Sequence, residues 1–465
     1  MNNLVARNKV DALFDANTFV EIGALVKSKS TAFSLSCDDT LTDGVVCGYG
    51  TIGERLVYVC SQDEGVLGGA IGEMHTKKIV KTFKEAKKVG APIVMYISTT
   101  GARLEEGIKN LESYGKLYKI MAATKGIVPV ITIVDGNAQG GAALLCGIAD
   151  FVFMNEKKAK VFLSSVNTMD NKDLKADDIQ TAKVHGTSSG LANFVGDDAY
   201  ITDNVKNILS FLPSNHTDKG NWWQECFDDL NRVDTNLDNF DFENSDIKNI
   251  IVSVADDNNY FEISEGYGKT ITIGFIRLNG TTIGVIGNKE TGICLDGIKK
   301  ANKFVDFLNN FKIPVLTFVN ATNFESTQEA EQRGIIEEFS NFIIKIANTQ
   351  VPKVSLILNK AYGSAYVLMN SAHIGADLVL AWPNADISLI PTESAVKIMY
   401  AKELASGEID QATLNEKVAA YAEQNAGVNA MAALGYIDEV IEPAASRKRL
   451  ISAFEMLWGK GYDKK

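Results

Sequence analysis

The chain states one pattern twice, and this repetition constrains its fold more than any other feature. GAPIVMYISTTGAR at 90–103 and DGNAQGGAALLCGIADFVFM at 135–154 recur as FKIPVLTFVNATNF at 311–324 and NKAYGSAYVLMNSAHIGADLVLAW at 359–382. The order is the same, with Pro92 matched by Pro314 and Gly140 by Gly363. Each copy reads as a strand, an end turn, a helical stretch, a second strand, and a turn of glycine and small residues that opens a helix. Repetition on this scale means two copies of one α/β unit. Small residues at a helix start let main-chain N–H groups approach a ligand oxygen, so two such turns suggest two anion-stabilising sites.

The flanking sequence fits that unit. GTIGER separates two β-branched runs within 44–63 and reads as a hairpin, matched by TITIGFIRLNGTTIGVIGN at 270–288. A helix is expected at 71–89, with Ile71, Met74, Ile79, Phe83 and Ala86 on one face. Strand 92–98, helix 105–125, strand 128–134 and helix 140–147 then alternate. The least hydrophobic stretch runs from Pro213 to Ile247, which places the domains at 1–231 and 232–465.

A formal net charge of −12 argues against nucleic acid or an anionic membrane as partner. The six cysteines, Cys37, Cys47, Cys60, Cys146, Cys226 and Cys294, form no C-x-x-C pair, and four scattered histidines leave little for a metal centre. No segment reads as a signal peptide or a span of the roughly 20 residues a membrane needs, so a cytoplasmic location is expected.

Three turns are candidates for chemistry. Thr100-Gly101-Ala102-Arg103 ends a strand, and Gln139-Gly140-Gly141-Ala142 and Tyr362-Gly363-Ser364-Ala365 each open a helix. Each has a plain alternative as a packing turn, but matched sets in two copies exceed what packing demands. Arg103 either contacts a ligand or pairs with Glu105 or Glu106. His75 is expected on the polar side of its helix, as a surface or packing residue. Lys77, Lys78, Lys81, Lys84, Lys87 and Lys88 read as a solvated face. No Walker A motif, G-x-S-x-G elbow or H-E-x-x-H is present. A site built from backbone donors needs a reaction in which substrate or cofactor supplies the base.

Motifs along nearly the whole chain resemble the carboxyltransferase subunits of biotin-dependent acyl-CoA carboxylases, of the propionyl-CoA carboxylase β type, and the related biotin-dependent decarboxylase α subunits. They include VDALFDANTFVEIG at 10–23, GGAIGEMHTKKI at 68–79, TGARLEEGIKNLESYG at 100–115 and VPKVSLILNKAYGSAY at 351–366. The resemblance implies two tandem crotonase-like ββα-superhelix domains, the first serving acyl-CoA and the second biotin. It implies carboxyl transfer between carboxybiotin and the α carbon of an acyl-CoA, with the biotin enolate removing the α proton and two oxyanions to be stabilised. Carried over by motif, the amides of Thr100 and Gly101 would face the thioester, and those of Ser364 and Ala365 would face biotin. Ala102, Arg103, Gly140, Gly141 and Val367 would line the acyl-CoA side, and Tyr362, Gly363 and Phe324 the biotin side. No metal is implied.

Biotin would sit on a separate carrier protein, since no M-K-M attachment site occurs. Further partners implied are a biotin carboxylase or a membrane decarboxylase subunit, and a homo-oligomer, dimer or hexamer. The chain departs from the family at Thr100 and Ser364, where glycine is usual. It departs again at 319–325, where only Phe324 of an Asp-x-Pro-Gly-Phe turn remains. GNKETGICLDG at 287–297 is shortened. Two further readings follow: the decarboxylase direction on malonyl-, methylmalonyl- or glutaconyl-CoA, and a CoA-binding scaffold with a degenerate biotin site.

Overall fold

The computed structural model describes residues 5–29, 41–171, 173–218 and 224–460. Cys37 lies outside them. The chain divides into two compact units, Met1–Trp222 and Trp223–Lys465.

The first unit is built on a sheet of eight described strands: β1 (Val20–Glu21), β2 (Val45–Ile52), β3 (Arg55–Gln62), β4 (Ile93–Thr99), β5 (Val130–Gln139), β6 (Phe151–Asn155), β7 (Lys160–Phe162) and β8 (Phe194–Gly196). Their order is β1-β2-β3-β4-β5-β6-β8, with β7 beside the end of β5. The second unit repeats this with β9 (Phe261–Ile263), β10 (Ile271–Leu278), β11 (Thr281–Asn288), β13 (Val315–Ala321), β15 (Lys353–Tyr362), β16 (Leu378–Ala381) and β18 (Glu439–Val440), and with β17 (Asp386–Ser388) beside the end of β15. A further short pair joins β12 (Gly292–Ile293) to β14 (Asn323–Phe324).

The expected hairpins are present. Gly53 and Glu54 join β2 to β3, and Asn279 and Gly280 join β10 to β11; all four have positive φ. Two-residue turns with both residues left-handed match the twist of antiparallel strands. In the first unit the pairings from β3 to β8 are parallel, and β4 at the sheet centre is buried along its whole length, as a continuous apolar run requires. Full burial of each such side chain contributes about 1.5–3 kcal/mol.

Six helices matter for the site: α1 (Glu73–Val89), α2 (Lys109–Ala122), α3 (Gly141–Ile148), α4 (Leu295–Asn310), α5 (Ile335–Asn348) and α6 (Gly363–Leu368). α1 packs Ile79, Phe83 and Ala86 on the first core, as the periodicity requires. For this helix His75 takes the packing alternative, and the solvated reading of Lys78 fails. His75 is fully buried, hydrogen-bonded to Gln62 and to the Asp43 carbonyl at 3.0 and 2.8 Å. Lys78 is buried too, its ammonium donating to the carbonyls of Thr42 and Val45. An ammonium that finds two orphan loop carbonyls can leave the solvated face. Lys300 repeats the device on α4, donating to the carbonyls of Ser264 and Tyr267.

Candidate functional site

The parallel register carries neighbouring turns to one edge. In the first unit β4 and β5 are adjacent, with Thr99 opposite Ala138, so the turns after them share one sheet end. In the second, Ala321 lies opposite Ala361. Both pairings carry an irregularity just before these residues, between Ile97 and Thr99 and between Val319 and Ala321. Bulges of this kind re-aim the chain at a sheet end. Crevices at the carboxyl ends of parallel strands are where α/β sheets take ligands.

The 99–103 turn is tightly held. The Thr100 amide donates to the Gly68 carbonyl at 3.1 Å, and the Gly101 amide to Thr99 Oγ1 at 3.1 Å. Both amides expected to face a thioester are thus engaged within the chain. Ile71 bridges the turn in parallel fashion, donating to Gly101 O and accepting from Arg103 N. Thr100 keeps an ordinary φ, and Gly101 takes the left-handed one at +108°. Threonine in place of the usual glycine therefore introduces no strain. Ala102 is exposed at the tip.

Arg103 is buried. Its guanidinium lies 2.7 Å from an Asp43 oxygen and 3.1 Å from one of Glu106, and donates to the Ala70 carbonyl at 3.0 Å. This is the ion-pair alternative, made with Glu106 and with Asp43, a partner that sequence spacing did not suggest. Burial pushes the Asp43 carboxyl up, and Arg103 opposes the shift. His75, whose backbone N–H donates to Asp43 at 2.7 Å, is held neutral, pushed down to about 3 by burial.

The two helix-opening turns differ from the 99–103 turn in their donors. Gly140 takes φ +59° and donates to the Phe162 carbonyl at 2.9 Å, after which α3 begins at Gly141. The first amides of a helix have no acceptor within it, so those of Gly141 and Ala142 are presented at the helix start. Gly363 takes φ +53° in the same place, and Ser364 and Ala365 follow in the first turn of α6. Ser364 is exposed, Ala365 buried and Val367 half-buried. A side chain cannot be added at Gly363, since a Cβ there would sit 2.8 Å from the Leu389 carbonyl. Tyr362, buried, points its hydroxyl at Asp386. Asp386 also lines a cavity of about 460 Å³ with Asn384, Thr392, Glu423, Val428 and Asn429.

The altered 319–325 turn keeps the geometry of its first-unit counterpart. Thr322 N donates to Thr291 O and Glu325 N to Ile293 O, the analogues of the bonds from Thr100 and Arg103. No residue from 319 to 325 has positive φ, so the missing glycines are not needed. Phe324 packs edge-on against Phe339 of α5 at 4.7 Å, an anchoring role. Glu325 accepts from the amide of Leu295 at the start of α4.

Several large apolar side chains are exposed in each unit. Leu104, Ile108, Leu111 and Leu163 are exposed in the first unit, and Ile336, Leu389 and Ile398 in the second. No helix among the described residues is long and apolar enough to cross a membrane, and no cluster of three or more potential metal ligands is found there.

The duplicated mixed sheet, with a glycine-opened helix at matching edges, is the fold of the carboxyltransferase class of enzymes. The chain belongs to the carboxyl transferase domain family, matched over residues 1–464. It is a carboxyltransferase of the biotin-dependent acyl-CoA carboxylase group. It is 36% identical over 469 residues to the methylmalonyl-CoA decarboxylase subunit alpha of Propionigenium modestum, covering 98% of this chain and 90% of that one. Identity to the putative propionyl-CoA carboxylase beta chain of Bacillus subtilis (strain 168) is 37% over 470 residues, covering 98% and 91%. The crystal structure of transcarboxylase 12S, a hexamer with hydrolysed methylmalonyl-coenzyme A bound, superposes with a TM-score of 0.93 at 32% identity, covering 99% of this chain and 91% of that one.

Proposed function

We propose that the protein moves a carboxyl group between a biotin arm on a separate carrier protein and the α carbon of a small acyl-CoA of the malonyl or methylmalonyl type. The observation that carries this reading is the matched pair of helix starts, at Gly141 and Ala142 in the first unit and at Ser364 and Ala365 in the second. Each opens after a left-handed glycine at the end of a parallel strand. Family membership supports it, as do the acyl-CoA ligands in the transcarboxylase 12S structures.

In this reading the thioester oxygen lies on the amides of Gly141 and Ala142. The turn at Thr100 and Gly101 shapes the site, its own amides being engaged. The amides of Ser364 and Ala365 fit a ureido oxygen, and Gly363 makes room where a Cβ would collide. When bound, the biotin arm supplies or accepts the carboxyl group. The chain orients both reactants, excludes water and holds negative charge as it develops on each oxygen. Losing one such donor costs roughly 2.7–4 kcal/mol of transition-state stabilisation. The exposed apolar side chains of each unit are surfaces for a second copy, in line with the hexamer of transcarboxylase 12S. Biotin carboxylase or a membrane decarboxylase subunit would complete the system, the chain being similar to subunits of both kinds of enzyme.

The test is incubation of purified protein with biocytin and malonyl-, methylmalonyl- or glutaconyl-CoA, with loss of the carboxyl group followed by mass spectrometry. Biotin-dependent loss from one ester is expected. Silence across the panel with CoA esters still bound would replace transfer with a scaffold. Proline at Ala365 removes one second-unit donor, and is expected to abolish transfer while acyl-CoA binding survives.

A further inference from the structure

Two tyrosines of α2 stand between the glycine turns of the first unit. Tyr114 and Tyr118 are one helical turn apart and share a face, with ring centroids 5.9 Å apart. Tyr118 is committed, its hydroxyl donating to the Gly141 carbonyl at 2.9 Å. Tyr114 is placed differently. A Cβ built at Gly141 would lie 3.0 Å from the edge of its ring, and one built at Gly101 would lie 4.0 Å from its hydroxyl. The phenol therefore stands between the two turns, its ring against Gly141 and its hydroxyl towards Gly101. Its hydroxyl makes no hydrogen bond among the described residues, although the ring is half-buried. A phenol with no acceptor among the described residues has its hydrogen free for a ligand acceptor.

We propose that the Tyr114 hydroxyl is a third donor to the acyl-CoA oxygen, completing from a side chain the oxyanion site that the Thr100 and Gly101 amides do not complete. This rests on the reading of the first unit as the acyl-CoA half. Burial pushes the phenol up to about 12, so it is a neutral donor across the working range. Hydroxyl donors of this kind strengthen as charge develops on the oxygen, and so favour the transition state over the bound ester. The matching helix of the second unit, α5, carries no tyrosine.

The experiment compares wild type, Tyr114→Phe and Tyr118→Phe in the biocytin-dependent decarboxylation of whichever ester the wild type accepts. Tyr114→Phe keeps the ring and loses only the donor. Its kcat is expected to fall about 100-fold with KM within about twofold of wild type, the pattern of an interaction made in the transition state. Tyr118→Phe is expected to lose less. A ring-fluorinated tyrosine at 114, with a more acidic phenol, is expected to bring the alkaline limb of the kcat profile to lower pH, a shift that a packing role would not produce. It also serves if the phenylalanine variant fails to fold. Wild-type kcat in Tyr114→Phe, a loss carried entirely by KM, or an unmoved limb overturns the proposal with the function intact. A wild type inactive with every ester overturns the functional reading, and this inference with it.

Discussion

The two units solve one local problem, how to hold a turn at the end of a parallel strand, by different chemistry. In the first, the turn is fixed by buried charge: Arg103 sits between Asp43 and Glu106, with His75 and Gln62 extending the network beneath it. In the second, the equivalent turn is fixed by a strand pair, β12 with β14, and by one carboxylate, Glu325, at the start of α4. Backbone bonds to 291 and 293 repeat those to 68 and 71. The difference teaches that the geometry is retained while its supports are exchanged, so a lost sequence motif does not mean a lost turn.

The largest contrast is expected from removing one support in each unit. Arg103→Met leaves the Asp43 and Glu106 carboxylates buried without their counter-charge, which costs roughly 3–5 kcal/mol. Glu325→Gln keeps a hydrogen-bonding oxygen at the start of α4 and should cost at most about 1 kcal/mol. Urea denaturation of both variants checks this. Equal losses would show that the buried ion pairs are no more important than the single cap.

A smaller contrast concerns the glycines before the two helix starts. Alanine at either position must adopt a positive φ, at a cost of order 1–3 kcal/mol. At Gly140 the new Cβ meets open space, whereas at Gly363 it meets the Leu389 carbonyl at 2.8 Å. Gly363→Ala is therefore expected to lower the melting temperature more than Gly140→Ala and to lose more of its carboxyl transfer. A greater loss in Gly140→Ala would mean that the first unit's helix start is the tighter one.

How much of this was legible in the sequence follows the range of the forces involved. The repeat, the hairpins and the parallel strands rest on local patterns and appeared as read, and the resemblance carried the family. The supports did not appear, because they depend on partners far apart in sequence. Nothing near Arg103 announces Asp43, and a helix wheel places His75 and Lys78 outside because it cannot see the loop carbonyls that receive them. The engaged amides of Thr100 and Gly101 were invisible for the same reason: their acceptors are a carbonyl at Gly68 and a hydroxyl whose rotamer the sequence does not specify. A substitution scored against a motif, such as the absent glycines of 319–325, says little until the φ values are known.

The smallest contrast lies in pH. His75 in the first unit is pushed down to about 3 by burial, from an ordinary 6.5. Between those values the unfolded chain binds a proton that the folded chain refuses. The stabilisation from its neutral form is therefore complete above about 6.5 and lost as pH falls towards 3. Lys300 in the second unit is pushed down to about 8 from 10.5, again by burial. Its charged form burdens the folded state below about 8, and that burden is relieved as pH rises towards 10.5. The first unit should thus weaken in acid and the second strengthen in alkali. Denaturant titrations across pH on His75→Gln and Lys300→Met separate the two. The first variant is expected to reduce the acid slope alone, and the second the alkaline slope alone, with the remaining alkaline slope carried by Lys353, which burial also pushes down to about 8. An acid slope that survives His75→Gln would move that dependence to carboxylates held low by their partners, such as Glu73 beside Lys29 and Lys77, because the raised Asp43 carboxyl acts in the opposite sense.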